Sequence, residues 1–97
     1  MAMDHLYIVS YDISNAKRWR QLFKTMHGYG EWLQLSVFQC RLGRRRMIEM
    51  EAAIGDIVHH REDHVLILDL GPAENVKPHV HSIGKAFEPV RREAVIV

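Results

Sequence analysis

Within the first 70 residues of this 97-residue chain, two stretches with apolar residues at helical spacing alternate with three short β-rich runs. That alternation limits the fold more than any other feature. The first run, Leu6 to Ile13, is rich in β-branched and aromatic residues and only weakly alternating, as expected of a strand covered on both faces. Ser14 or Asn15 can cap a helix in which Ala16, Trp19, Leu22, Phe23 and Met26 share one face and Lys17, Arg20 and Lys24 another. This helix stops at Gly28-Tyr29-Gly30. From Leu35 to Leu42, Ser36, Phe38, Cys40 and Leu42 fall on one strand face and Val37, Gln39 and Arg41 on the other. Gly43 and Arg44–Arg46 then lead into a second amphipathic helix carrying Met47, Ile48, Met50, Ile54, Ile57 and Val58. His64 to Leu70 is a third apolar run, closed by the turn pair Gly71-Pro72.

Val80 to Gly84 and Ala94 to Val97 also have strand composition, separated by a segment containing Pro89. The order βαββαβ, with one extra terminal β piece, predicts an α+β ferredoxin-like sandwich with an antiparallel sheet and both helices on one face. A single domain over 1–97 is expected, with 1–72 as its main body and 73–97 as C-terminal strands engaged in dimerisation. Helices on one side leave the other sheet face uncovered, and a two-fold dimer is the simplest way to bury it.

Apolar residues at 47 % and charged residues at 26 % are ordinary for a globular chain. The longest apolar run falls far short of the ~20 residues that cross a bilayer, so no membrane association is expected. The opening Met1-Ala2-Met3-Asp4-His5 lacks a basic segment followed by an apolar one, and the single Cys40 cannot form an internal disulfide. A cytoplasmic location is expected. The net charge of +1 conceals a segregation: Lys17, Arg18, Arg20, Lys24, Arg41, Arg44, Arg45 and Arg46 are opposed in their segment by Glu31 alone, whereas the remainder is acidic. Such a one-signed patch attracts polyanions, although a solvated helix face would look the same in sequence. Arg44, Arg45 and Arg46 come just before the second helix, where its dipole disfavours positive charge, so phosphate contact accounts for them better than helix stability does.

Asp12 ends an apolar strand just before a helix, where a carboxylate can cap the helix, stay solvated or hold a metal ion. His59, His60 and His64, and His79 with His81, lack the spacing of a zinc site and read as surface histidines. Cys40 lies mid-strand among core residues and reads as a buried small hydrophobe. Trp19, Phe23 and Met26 are at packing spacing. Tyr29 and Trp32 fall in a turn, where contact with nucleic acid or with a dimer partner is equally compatible with the sequence.

The segment Tyr7-Ile8-Val9-Ser10-Tyr11-Asp12-Ile13-Ser14, followed by Lys17-Arg18, Tyr29-Gly30-Glu31 and Gln34-Leu35-Ser36-Val37-Phe38-Gln39-Cys40, resembles the CRISPR-associated protein 2 family over residues 5 to about 70. The resemblance implies a ferredoxin-like homodimer whose C-terminal strands pair with the partner's sheet. It implies a dimer that, with the CRISPR-associated integrase Cas-one, holds duplex DNA and inserts short fragments into a CRISPR array, the step called spacer acquisition. For some members it implies nuclease activity on RNA or double-stranded DNA, dependent on Mg²⁺ or Mn²⁺, with the strand-one aspartate as metal ligand. Asp12 matches that catalytic and metal-binding aspartate, Tyr11 its neighbour, Lys17, Arg18 and Arg20 the basic start of helix one, and Ser36 and Phe38 the strand-two motif. Trp32 stands where members often carry a basic residue, Gln39 where a glutamate is common, and Leu66 and Leu68 where more polar residues are frequent. Two functions are therefore expected to compete, a DNA-holding adaptor and a metal-dependent phosphodiesterase.

Overall fold

The computed structural model describes residues 3–84. Its elements are β1 (His5–Asp12), α1 (Ala16–Met26), β2 (Glu31–Gln34), β3 (Val37–Leu42), α2 (Arg44–Ile57) and β4 (His64–Pro72), followed by a 3₁₀ turn at Ala73–Asn75. The strands form one antiparallel sheet in the order β2-β3-β1-β4. Alternation along β1 sends Tyr7, Val9 and Tyr11 to one face, where they meet Phe38, Cys40 and Leu42 of β3 and the buried faces of the helices, Leu22 and Met26 of α1 and Met50 and Ile54 of α2. Phe38, Leu22, Met26, Met50, Val9 and Cys40 are fully buried. Each of the larger of these contributes about 1.5–3 kcal/mol by leaving water. The helices run antiparallel: Arg46 Nη2 near the start of α2 donates to Gly28 O at the end of α1 (2.7 Å), while Arg18 near the start of α1 reaches Asp63 beyond the end of α2.

The ferredoxin-like arrangement expected from the sequence is present, but its strands are distributed differently. The βαββαβ count is completed by the β2–β3 hairpin and not by a late strand. The strand expected over Leu35–Leu42 begins at Val37, and Leu35, whose φ of 38° is left-handed, lies in the turn where the chain reverses from β2. Trp32 accordingly lies in β2 and not in a turn. Gly30 permits this hairpin to close, because a Cβ at that position would run into Gln39 O and Cys40 Sγ. Val80–Gly84, expected as a strand, has no regular structure: after the 3₁₀ turn the chain leaves the sheet, with Ala73 N–H bonded to Asp4 O (2.8 Å). Ala94–Val97 and the C-terminal strand pairing expected there lie outside the described residues. Arg44–Arg46 form the first turn of α2 and do not precede it.

The helix-free face carries Ile8 and Ser10 of β1 beside Leu68 and Leu66 of β4, their partners in register. Leu66, Leu68 and Leu70 are 51 %, 47 % and 40 % exposed, a stripe of leucines along an edge strand. Among the described residues no helix is long and apolar enough to cross a membrane.

Candidate metal and nucleic-acid site

Asp12 closes β1 and is exposed. Of its three possible roles, capping is excluded by the structure: Asn15 caps α1, its Oδ1 accepting from Arg18 N at 2.9 Å. Among the described residues no hydrogen bond or ion pair engages the Asp12 carboxylate. The residues around it form a scaffold. Tyr11 N–H donates to Ser36 O (3.1 Å), and Ser36 Oγ accepts from Trp19 Nε1 (2.8 Å). This fixes the end of β1 against the hairpin. Tyr11 itself is buried between Trp19 and Phe38, its hydroxyl has no partner, and burial pushes its pKa up to about 12. Phe38 is fully buried and also meets Phe23 and His27 edge-on. Tyr11 and Phe38 are therefore packed into the core, and half-buried Ser36 joins the end of β1 to α1.

The eight basic residues separate into three groups. Arg18 is an internal tie, its side chain 21 % exposed: Nε donates to Asp63 Oδ2 (2.8 Å), and Nη2 to Asp63 Oδ1 (3.3 Å) and Glu62 Oε1 (3.0 Å). Asp63 has no exposed side-chain surface and also accepts from His59 N (2.8 Å). The Arg18 guanidinium, and then the His59 N–H, hold its carboxyl below the usual carboxylate range, while Arg18 is itself held above its ordinary value, first of all by the bond to Asp63. Arg46 is also committed, to Gly28 O, to Glu49 at 3.5 Å and to the face of Tyr29 at 4.5 Å. Tyr29, left open between nucleic acid and a partner chain, thus packs under this arginine. Arg45 reaches Glu49 at 3.7 Å and Arg41 reaches Asp4 at 4.0 Å, both from exposed positions. Lys17, Arg20, Lys24 and Arg44 are exposed with no ion-pair partner among the described residues.

Lys17, Arg20 and Lys24 follow one another along the outer face of α1, and Lys24 lies in its last turn, at the end where α2 begins. The arginine run is at the His5 end of the sheet, since β3 leads into it and Leu42 pairs with His5. The seven residue steps along β1 from His5 to Asp12, at ~3.3 Å each, separate that end of the sheet from Asp12 by about 23 Å. The basic residues thus form a stripe down one side of the molecule and not a cluster around Asp12. The first turn of α2 contains no acid, and its cap Gly43 supplies no side-chain acceptor. Three arginines there work against the helix dipole.

Cys40 is fully buried, and burial pushes its thiol up to about 11, so it packs as a small hydrophobe and its thiolate is disfavoured at neutral pH. His5 and Asp69 pair at 2.8 Å across β1 and β4. Among the described residues no group of three His, Cys, Asp or Glu side chains converges as a metal site within one chain. Mg²⁺ is commonly held by one or two carboxylates plus water and phosphate oxygens, so an unengaged Asp12 fits it as a partial ligand set completed from outside the chain. Two features were not found from the sequence: the engagement of Arg18 by Asp63, 45 residues away, and the pairing of Asp12 with His64 in the β1–β4 register.

A four-stranded antiparallel sheet with two helices on one face and a free carboxylate at a strand end defines an α+β protein of the ferredoxin-like class. The family model for CRISPR associated protein Cas2 matches residues 3–77, and the chain belongs to that family. It is 77 % identical over 95 residues to the CRISPR-associated endoribonuclease Cas2 of Geobacter sulfurreducens, covering 98 % of this chain and 100 % of that one. It is 56 % identical over 94 residues to the CRISPR-associated endoribonuclease Cas2 1 of Rhodospirillum rubrum, covering 97 % and 92 %. A crystal structure of Cas2 superposes with a TM-score of 0.74 at 33 % identity, covering 91 % of this chain and 95 % of the other.

Proposed function

We propose that this chain is a spacer-acquisition subunit acting in the cytoplasm, a homodimer that holds duplex DNA for the CRISPR-associated integrase and bridges integrase dimers. The observation that carries this reading is the exposed stripe from Lys17 through Arg20 and Lys24 to Arg44 and Arg45, set along a rigid helix. Such a stripe of exposed cations meets phosphates without reading bases. The leucine face of β4 supplies the second requirement, since two copies packed face to face would bury it and place two such stripes on one particle. Each phosphate neutralised contributes about 0.9 to the slope of log K against log salt. Changing Arg44 and Arg45 together to alanine should therefore flatten the duplex-binding slope by up to about 3.6 per dimer, measured by fluorescence anisotropy across a salt series. Arg18→Ala should leave the slope unaltered once the fraction folded is accounted for. An unchanged slope in the double variant would place the contact elsewhere.

A second reading is favoured by the name endoribonuclease carried by the relatives above. In it the dimer cleaves phosphodiester bonds of RNA or double-stranded DNA at Asp12. A divalent ion there, Mg²⁺ or Mn²⁺, would supply charge neutralisation and an activated water. The chain's own part is to present the Asp12 carboxylate at a strand end fixed by Ser36 and Tyr11. Asp12→Asn should lower metal-dependent cleavage by orders of magnitude in a gel assay with labelled RNA, and undiminished cleavage would remove Asp12 from the role.

A further inference from the structure

The β1–β4 ladder pairs Asp12 with His64. Residues directly paired in antiparallel strands project to the same face, with Cβ atoms about 4.5–5.5 Å apart. The next rung, Tyr11 with Val65, turns toward the core, and the one after, Ser10 with Leu66, turns outward, so alternation assigns Asp12 and His64 to the helix-free face together. Both are exposed, and neither makes a hydrogen bond or ion pair among the described residues.

The backbone beneath this pair is held from both sides. Asp63, the residue before His64, has its carboxylate fully covered and bonded to Arg18 Nε, Arg18 Nη2 and His59 N. Arg18 belongs to the helix that starts four residues after Asp12, and its own N–H goes to the cap Asn15. The Arg18–Asp63 bond therefore ties the segment leaving Asp12 to the segment arriving at His64, and the Asp12–His64 rung closes the ring.

We infer that His64 is the second ligand of the metal position at Asp12, so that each chain offers one carboxylate oxygen and one imidazole nitrogen. This rests on the reading of Asp12 as a metal ligand and adds to it a donor and a metal preference. Imidazole suits borderline ions better than it suits Mg²⁺, which favours oxygen donors. The site should accordingly prefer Mn²⁺ to Mg²⁺.

Titration of the full-length protein with Mn²⁺, followed by electron paramagnetic resonance with nitrogen spin-echo modulation, tests this without reference to activity. Wild type should bind Mn²⁺ with imidazole-nitrogen modulation, and His64→Gln should abolish the modulation. Outer-sphere partners of metal ligands already affect affinity by about 10–100-fold, so loss of a direct ligand should weaken Mn²⁺ binding at least about tenfold. Mg²⁺ binding, measured by competition, should fall less. His60→Gln, at an exposed position outside the rung, should behave as wild type. If His64→Gln keeps both affinity and modulation while Asp12→Asn abolishes binding, the assignment of His64 is overturned and that of Asp12 stands. If Asp12→Asn binds Mn²⁺ as tightly as wild type, the Asp12 reading itself is overturned.

Discussion

At the scale of single residues, the Arg18–Asp63 pair shows why charge in a sequence is an incomplete guide to charge at a surface. Arg18 sits between Lys17 and Arg20 in a stretch that is uniformly basic, yet its guanidinium is turned inward onto a covered carboxylate. Removing Arg18 leaves the covered Asp63 carboxylate without its counter-charge, whereas removing Asp63 leaves Arg18 with Glu62. The Asp63 carboxyl is held below its ordinary value in the folded chain. The stability it confers is therefore fully present above the unfolded carboxylate value, about 3.9, and is lost as pH falls through the lower folded value. Asp63→Asn should lower the Tm markedly at pH 7, and the gap to wild type should close as the pH is taken from 5 down to 2.5. Differential scanning calorimetry across that range checks it, and a gap independent of pH would contradict the ion pair as its cause. Lys17→Ala, on the exposed side of the same helix turn, should leave Tm essentially unchanged.

Among the elements, the β2–β3 hairpin carries the clearest local conflict. Leu35 adopts a left-handed backbone that costs a non-glycine residue about 1–2 kcal/mol, and its side chain is exposed, so burial offsets little of this. The hairpin persists because Trp32 Nε1 donates to Leu35 O (2.9 Å) while Ser36 is bonded to Trp19 and Tyr11. Leu35→Gly should relieve the strain but add freedom to the unfolded chain, for a net gain of up to about 1 kcal/mol in urea unfolding. A loss of stability would show that the leucine side chain makes contacts that the isolated chain does not reveal. This conflict also explains what could be read in advance. β1, α1, α2 and β4 each carry several apolar residues at a consistent period, and their positions followed from the sequence to within a few residues. β2 has four residues with polar ends, and its turn lacks the Gly or Asn that marks a reversal, so it reads in sequence as part of a turn, and a late strand took its place in the count. The free carboxylate at Asp12 and the exposed lysines of α1 were legible for the same reason, being set by local position. The burial of Arg18 and the neighbour His64 depend on β4 arriving antiparallel beside β1, which no local pattern encodes.

For the whole molecule, one sheet face is filled by helices and the other presents leucines to solvent, which is the asymmetry expected of half an assembly. Leu68 lies in the middle of that stripe, opposite Ile8. If the proposed dimer packs through this face, Leu68→Asp should raise its dissociation constant by at least about 100-fold, because the two-fold interface would bury one such charge from each chain, while the monomer stays folded. Sedimentation velocity from 1 to 100 μM would show it, and a variant that remained dimeric would move the interface off this face. The adaptor account then places the essential work in the basic stripe and the leucine surface, and asks no chemistry of the Asp12 carboxylate. Its most direct test is spacer integration reconstituted from the integrase, a short duplex and an array substrate, with wild type and Asp12→Asn compared by the yield of inserted fragments. The account predicts equal yields and equal assembly of the ternary complex, and loss of integration in Asp12→Asn with the complex intact would contradict it.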